Sequence, residues 1–336
     1  MRIGIAGVGR IGTMHASHLA SLPLVDEVLL FDPVDGRAEQ VAGTVDGARA
    51  AGRLDDLLAE CAGVLVATPT DTHADTVRRC LAGGVPVLCE KPIAKDLAEM
   101  TALIAAIDAA TVPVLVGFQR RFDPALVELR RRVASGELGV IYQVRAVGID
   151  ASPPDFGYLP TSGGIFRDLF IHDLDAVPWL VGEPVVEVYA TGSVLVNEAF
   201  AAADDVDNAM VLLRFAGGAQ AVLAGGRHDP LGYDHRVEVL ASRDSVVVGL
   251  DARTPLNSIG DGGPTASADA YDGFQTRFRA AYLNEMAIFV DVVAGRAENP
   301  SPARDSLASL RLAVACERSR RTGTAVRLND ADDGEG

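Results

Sequence analysis

Asp168 and His172 lie four residues apart near the middle of the chain. Residues with this spacing share one face of a helix, so the carboxylate can orient the imidazole and stabilise its charged form. Such a pair suits the transfer of a proton, because the ordinary pKa of histidine is close to neutrality. Asp175, three residues after His172, is expected on the same face. The pattern fits a helix cap or a solvated acidic face equally well, so it does not by itself establish catalysis.

The N-terminal residues carry a glycine motif, GVGRIG at 7–12, that is typical of dinucleotide-binding turns. The motif follows a predicted strand at 2–6 and opens a predicted helix. Gly7 permits the tight turn, Gly9 lets backbone amides approach a pyrophosphate, and Gly12 lets the helix pack closely on the strand. The helix N-terminus adds a partial positive charge. The motif therefore predicts a dinucleotide site that includes Gly7, Gly9, Arg10, Ile11 and Gly12.

The end of the second predicted strand indicates which dinucleotide binds. Asp32 lies 20 residues after Gly12, where a carboxylate that accepts hydrogen bonds from the adenosine ribose is expected. This carboxylate would repel the 2′-phosphate of NADP, and the next residue is Pro33 rather than arginine. The pattern favours NAD, and only Arg37 offers a way to accommodate a 2′-phosphate.

Composition excludes several classes of function. The chain has 336 residues, 49% of them hydrophobic and 23% charged, which predicts a globular protein of about two domains. A formal net charge of -16 disfavours binding to nucleic acid or to anionic lipid. We expect no membrane span and no signal peptide, because no apolar run approaches about 20 residues. The four cysteines form no CxxC or Cys/His cluster, so we predict no metal site and a cytoplasmic protein with reduced thiols.

Predicted strands and helices alternate over the first part of the chain, and this arrangement positions the glycine motif. Short apolar runs predict strands at 28–31, 64–67, 87–89 and 114–117, with helices at 38–42, 54–60, 74–82 and 97–109. Such alternation is typical of an α/β fold with a doubly wound parallel sheet covered by helices on both faces. We therefore predict a NAD-binding Rossmann domain at residues 1–121.

The pattern changes after residue 121, where the predicted strands become longer. Strands are predicted at 141–148, 185–195, 210–215, 219–225, 236–240, 245–250 and 325–328, with helices at 124–134, 171–180, 274–293 and 303–319. Gly-Gly and Asp-bearing turns between them indicate a large mixed, mostly antiparallel sheet. Residues 122–336 are therefore predicted to form an α/β domain for substrate binding and oligomerisation, with a loop at 259–272.

Three further stretches, together with the glycine motif, resemble the Gfo/Idh/MocA oxidoreductases. They are Ala67-Thr68-Pro69-Thr70 with His73 beyond it, Glu90-Lys91-Pro92, and Gly163-Gly164 followed by Asp168 and His172-Asp173. Within this family the chain is most similar to the inositol dehydrogenases, at 117–124 (GFQRRFDP), 163–175 and 281–285 (AYLNE). It departs from them at Ile149-Asp150, where many of these enzymes carry a basic segment.

The resemblance implies an enzyme that transfers a hydride between NAD and a secondary alcohol of a cyclic polyol or sugar. Its best match is a myo-inositol or scyllo-inositol 2-dehydrogenase. His172 is then the general base, Asp168 is its partner, and Lys91 stabilises the charge that develops on the reacting oxygen. The resemblance also implies cofactor contacts from Thr68, Pro69, His73 and Glu90. The predicted substrate contacts are Lys91, Arg121, Asp150, Asp175, Tyr233 and Tyr282.

Two alternatives remain open from the sequence. One is a keto-sugar reductase or aldose dehydrogenase of the same family. The other is a non-catalytic NAD-binding regulator on the same fold, since fold alone does not fix function. A regulator would not need Lys91, Asp168 and His172 together. The resemblance further implies a homo-oligomer, either a tetramer or a dimer.

Overall fold

The computed structural model describes residues 1–260, 262–263 and 265–328, and it contains two compact units. The first unit comprises Met1–Asp123 and Ala280–Ala308, and the second comprises the described residues of Pro124–Arg279 and of 309–328. The sequence predicts that residues 122–336 form one domain. In the structure, Ala280–Ala308 belongs to the first unit instead. The reason is apolar packing, because Met286 and Phe289 lie in the core of the first unit.

Six parallel strands form the sheet of the first unit. They are β1 (Arg2–Ala6), β2 (Glu27–Phe31), β3 (Ala48–Ala50), β4 (Gly63–Val66), β5 (Val87–Glu90) and β6 (Val114–Gly117). Their order is β3-β2-β1-β4-β5-β6, so the winding reverses beside β1. Sheets of this kind bind ligands outside the carboxyl ends of the strands, at the point of reversal. The predicted Rossmann sheet is confirmed. The short strand β3 was not predicted, because no apolar run marks it in the sequence.

Five helices connect these strands. They are α1 (Arg10–Ala20), α2 (Arg37–Ala42), α3 (Leu54–Glu60), α4 (His73–Ala82) and α5 (Leu97–Ala109). Two short 3-10 turns, Thr70–Thr72 and Gln119–Phe122, follow the carboxyl ends of β4 and β6. The glycine motif therefore occupies the turn between β1 and α1, as the sequence predicts.

The second unit contains a mixed sheet of seven strands. They are β7 (Ile141–Ile149), β8 (Val185–Ser193), β9 (Asn208–Phe215), β10 (Gln220–Gly226), β11 (Asp234–Ala241), β12 (Ser245–Val248) and β13 (Val326–Arg327). Their order is β12-β11-β7-β10-β9-β8-β13. The pairing of β7 with β10 is parallel, and the other pairings are antiparallel. The predicted mixed, mostly antiparallel sheet is confirmed.

The remaining helices lie after β6. They are α6 (Pro124–Ala134), α7 (Leu159–Ser162), α8 (Ile165–Asp168), α9 (Ile171–Val181), α10 (Ala199–Ala202), α11 (Phe274–Arg277), α12 (Arg279–Val293) and α13 (Ala303–Thr322). The prediction of a single helix at 274–293 is wrong, because a turn at Phe278 separates α11 from α12. Among the helices that the structure describes, none is both long and apolar enough to traverse a bilayer.

The expectation that Asp168 and His172 share one helical turn is also wrong. Asp168 ends α8, and His172 is the second residue of α9. The backbone amides of Leu169 and Phe170 both donate to the carbonyl of Ile165, at 2.9 and 3.0 Å. The second of these bonds spans five residues, so the turn is wider than that of an α-helix; it closes α8, and α9 begins after it.

Candidate active site

The glycine turn after β1 has the geometry that the motif predicts. Gly7 has a φ of +92°, a conformation that only glycine adopts readily, and a Cβ there would lie 2.6 Å from the carbonyl oxygen of Ala67. A Cβ on Gly12 would lie 2.0 Å from the carbonyl oxygen of Gly7, so α1 can pack on the turn only because residue 12 has no side chain. A Cβ on Gly9 would meet no atom within 4 Å. The backbone at the start of α1 is therefore open to a ligand.

Asp32 follows β2, and its carboxylate organises this turn. Oδ2 accepts a hydrogen bond from Val8 N at 2.9 Å, and Oδ1 accepts one from Val34 N at 2.9 Å. Arg37 Nη1 lies 3.4 Å from the same Oδ1. Arg37 is therefore paired with Asp32, and the carboxylate is held next to the glycine turn. A 2′-phosphate placed there would meet a fixed negative charge.

We expect the substitution Asp32→Asn to raise the affinity for NADP by about tenfold relative to NAD, which corresponds to about 1.4 kcal/mol. The amide removes the negative charge and releases Arg37 for the 2′-phosphate. Titration calorimetry with both dinucleotides measures this ratio. Asp35→Asn, an exposed acid three residues away, is the matched control and should leave the ratio unchanged. An unchanged ratio in Asp32→Asn would contradict the role of this carboxylate in cofactor choice.

His73 begins α4 and links the turns that follow two neighbouring strands, β4 and β5. Nε2 lies 2.7 Å from the carbonyl oxygen of Thr68, and Nδ1 lies 2.8 Å from that of Pro92. The ring is buried, and the peptide bond between Lys91 and Pro92 is cis. The contacts predicted between the cofactor and Thr68, Pro69 and His73 stay predictions.

A largely buried cluster of three titratable side chains lies at the end of β5. It consists of His15 on α1, Glu90 on β5 and Glu285 on α12, with one ligand atom from each within 4.8 Å of the others. His15 Nε2 lies 3.0 Å from Glu90 Oε1. Glu285 is fully buried, and within the described residues its carboxyl oxygens have no hydrogen-bond partner.

The environment of Glu285 disfavours its ionised form. Burial, followed by the negative charge of Glu90, raises the pKa of Glu285 well above its ordinary value. Both causes favour the neutral acid over the carboxylate. The sequence predicts no metal site, although these three residue types could ligate a cation.

The other predicted residues of the first unit lie around these elements. Lys91 directly follows Glu90 and is partly buried. Arg121 is buried in the turn after β6, where its Nη1 donates to Asp305 Oδ2 at 2.6 Å and to the carbonyl of Pro300 at 3.3 Å. Tyr282 is buried on α12, with its ring centroid 5.6 Å from that of His15. Their contacts with substrate stay predictions.

In the second unit, two glycines set the position of Asp168. Gly163 and Gly164 have φ values of +80° and +83°, which glycine adopts without strain. The amide of Ile165, the next residue, donates to Asp205 Oδ1 at 2.9 Å and so begins α8. Because α8 has only four residues, this contact at its start also fixes where Asp168 lies at its end.

Two side chains that the sequence does not single out hold the Asp168 carboxylate. Arg227 Nη2 donates to Oδ2 at 2.9 Å, and the Tyr158 hydroxyl donates to Oδ1 at 3.2 Å. Arg227 Nη1 also donates to Asp150 Oδ2 at 3.2 Å. Burial by itself would lower the pKa of Arg227, but the charges of Asp168 and Asp150 outweigh it and raise that pKa. The site therefore contains a guanidinium between two carboxylates, directly before the helix that carries His172.

Asp175 and Tyr233 are both buried in the second unit. Ser309 Oγ donates to Asp175 Oδ1 at 3.2 Å. The ring of Tyr233 lies 6.4 Å from that of Phe278, and its amide donates to the carbonyl of Tyr271 at 2.7 Å. The predicted substrate contacts of Asp175 and Tyr233 stay predictions.

The four cysteines do not supply a nucleophile. Cys61, Cys80, Cys89 and Cys316 are unpaired and buried. Burial raises the pKa of the Cys61 and Cys80 thiols to about 12, and it raises those of Cys89 and Cys316 as well. The reactive form of cysteine is the thiolate, which these environments disfavour.

Comparison with known proteins identifies the family. Residues 1–118 match an oxidoreductase family with an NAD-binding Rossmann fold, and residues 126–247 match the GFO/IDH/MocA C-terminal domain. The chain is 38% identical to the myo-inositol dehydrogenase Hyg17 of Streptomyces leeuwenhoekii, over 96% of this chain and 98% of that protein. The chain belongs to the Gfo/Idh/MocA oxidoreductase family.

Other proteins are similar in sequence or structure to nearly the whole chain. The inositol 2-dehydrogenase of Rhizobium meliloti is 36% identical, over 95% of this chain and 96% of that protein. The solved structure of a myo-inositol dehydrogenase from Corynebacterium glutamicum has a TM-score of 0.89 and 34% identity, and it covers 98% of this chain and 99% of that one.

The first unit fits the cofactor of this Gfo/Idh/MocA protein, which is NAD. The cradle that a Cβ would fill at Gly7 and Gly12, the open backbone at Gly9, and the carboxylate of Asp32 are the features that the pyrophosphate and adenosine ribose require. The predicted NAD cofactor is confirmed, whereas the particular contacts stay predictions.

Proposed function

We propose that this protein is an inositol 2-dehydrogenase, which oxidises one secondary alcohol of myo-inositol or scyllo-inositol. The full-length similarity to inositol dehydrogenases supports this proposal. The observation that carries it is the Asp168 carboxylate, which is held from two sides by Arg227 and Tyr158 immediately before the helix of His172. A carboxylate fixed in this way suits the orientation of a catalytic imidazole.

The chain's own residues have separate roles in this reaction. His172 removes the hydroxyl proton, and Asp168 stabilises the imidazolium that results. The Lys91 ammonium stabilises the negative charge that develops on the substrate oxygen. When bound, NAD supplies the hydride acceptor. Hydroxyl groups of the ring that do not react are assigned, in this proposal, to the side chains of Arg121, Asp150, Asp175, Tyr233 and Tyr282.

Absorbance at 340 nm tests the proposal directly. The purified protein is mixed with NAD and, in separate reactions, with myo-inositol, scyllo-inositol, glucose and other aldoses. We expect NADH to form fastest with an inositol, and the ratio between the two isomers then identifies the substrate. Faster turnover of an aldose, or turnover only in the direction of keto-sugar reduction, would favour the alternative enzymes of this family. NAD binding without turnover of any alcohol would favour a regulator.

We also propose that the protein is a cytoplasmic homo-oligomer. Its four thiols are unpaired, as is usual in a reducing compartment. One face of the second sheet exposes large apolar side chains on neighbouring strands, among them Tyr189, Met210 and Leu212. Tyr189 lies directly opposite Leu212 in the register of β8 and β9. An exposed apolar patch of this kind is typical of an association surface, and a second copy of the chain is the partner we assign to it.

The substitution Leu212→Asp is expected to convert this oligomer to a smaller species, because each subunit would bring an unpaired charge into the contact. Light scattering coupled to size-exclusion chromatography measures the mass. Val127→Asp, at a similarly exposed valine on α6, is the matched control and should keep the wild-type mass. The sheet face is not the interface if both variants elute with the mass of the wild type.

A further inference from the structure

Arg227 joins two predicted site carboxylates that come from different parts of the sequence. It follows β10 directly, as Asp150 follows β7 directly, and these two strands are parallel neighbours. Gly226 pairs with Ile149 at the end of the register, and Asp150 N donates to the carbonyl of Gly226 at 2.9 Å. Parallel pairing therefore brings the residues that follow each strand to the same edge of the sheet.

The guanidinium is almost removed from solvent, whereas its two partners are not. The side chain of Arg227 is 3% exposed, while those of Asp168 and Asp150 are 16% and 23% exposed. Each carboxylate is bound through a different terminal nitrogen of the same guanidinium. The rigid planar fork of arginine fixes the direction of both contacts, which the single ammonium of a lysine cannot do.

We propose that Arg227 is a positioning residue with two distinct functions, an inference that rests on the proposed function. Through Asp168, it holds a carboxylate in the orientation needed for the proton transfer by His172. Through Asp150, it fixes a partly exposed carboxylate as an acceptor for a substrate hydroxyl. The same guanidinium therefore couples the catalytic step to the recognition of a neutral polyol.

The charges of Arg227, Asp168 and Asp150 are consistent with these two functions. Two carboxylates and one guanidinium leave a net single negative charge, which stabilises an imidazolium nearby and supplies acceptors for hydroxyl groups. The guanidinium is already engaged by two carboxylates, so it is poorly placed to bind a carboxylate or phosphate of a substrate. The arrangement suits an uncharged polyol and disfavours an acidic sugar.

The variants Arg227→Gln and Arg227→Lys test this inference with NAD and the best inositol substrate. We expect Arg227→Gln to lower kcat by about 10- to 100-fold and also to raise KM, because both carboxylates lose their orientation. Arg227→Lys keeps the charge but reaches only one carboxylate, so it should restore part of the loss. The NAD dissociation constant, measured by calorimetry, should stay unchanged in both variants.

Double-mutant cycles separate the two functions from a general loss of structure. In an Asp168→Asn background, Arg227→Gln should no longer lower kcat. In an Asp150→Asn background, it should no longer raise KM but should still lower kcat. Additive losses in both backgrounds would overturn the inference, and so would a folded Arg227→Gln variant with wild-type kcat and KM. If Arg227→Gln does not fold, the same cycles with Arg227→Lys decide the question.

Different results would refute the proposed function and the role assigned to Arg227. A wild-type protein that oxidises no inositol refutes the proposed function. A wild-type protein that oxidises inositol normally, with an Arg227→Gln variant that is equally active, refutes only the role assigned to Arg227.

Discussion

The substitution His172→Asn is expected to lower kcat for inositol oxidation by about 10³-fold while NAD still binds with its wild-type dissociation constant. A positioned general base contributes about 10²- to 10⁴-fold to such a reaction, and the asparagine amide cannot accept the proton. The residual rate should increase with pH, because hydroxide then replaces the missing base. Initial rates from absorbance at 340 nm, combined with calorimetric titration of NAD, measure both quantities.

Matched substitutions elsewhere in the chain show whether this loss is specific. His228→Asn changes an exposed histidine of the second unit and should retain wild-type kcat. At Lys91, the loss of the ammonium in Lys91→Ala should lower kcat, whereas Lys95→Ala, at an exposed lysine four residues away, should not. If His172→Asn or Lys91→Ala binds NAD and turns over at the wild-type rate, the catalytic assignment is wrong.

Much of the first unit follows from local sequence, because each element carries its own physical signal. The strands β1, β4 and β6 are continuous apolar runs, as strands buried on both faces must be. The glycines at 7, 9 and 12 are needed by local geometry, so their role is visible without the rest of the chain. In contrast, β3 has three residues and no buried side chain, so nothing in its composition distinguishes it from a loop.

Most of the features that the sequence did not predict depend on contacts between residues far apart in the chain. Arg227 is an unremarkable arginine until the parallel register of β7 and β10 places it beside Asp150. The return of residues 280–308 to the first unit depends on which core α12 joins, and helical periodicity cannot specify that. The break between Asp168 and His172 contains Leu169 and Phe170, neither of which is a helix breaker, so the sequence favours one continuous turn there.

The cluster of His15, Glu90 and Glu285 is expected to make the free energy of unfolding depend on pH. We expect Glu285 to keep its proton to a higher pH in the folded state than in the unfolded chain, which releases it at a pH of about 4.3. Because the pKa is raised on folding, the folded state binds more protons than the unfolded state at any pH between the two pKa values. The free energy of unfolding therefore decreases as the pH rises through that window.

Glu285→Gln is expected to remove this dependence, because the amide is close to the protonated acid in size and has no proton to lose. Relative to the wild type, the variant should gain up to about 1.4 kcal/mol for each pH unit within the window. The difference in stability between the two proteins should therefore change in favour of the variant as the pH rises from 5 to 8. Urea denaturation at pH 5, 6, 7 and 8 measures this difference. Glu298→Gln, at an exposed glutamate of the same unit, should follow the wild type at every pH.

The same experiment distinguishes a proton from a metal ion at this cluster. A bound divalent cation would require Glu285 to be ionised, so Glu285→Gln would then be less stable than the wild type and a chelator would destabilise the wild type. With a proton on Glu285, EDTA changes nothing and the variant gains stability with pH. If Glu285 is neutral, Glu90 is the only one of these two glutamates that carries a negative charge, and its carboxylate lies within hydrogen-bond distance of His15. If the stability difference between wild type and variant does not depend on pH, then Glu285 does not titrate in this range and the assignment of its proton is wrong.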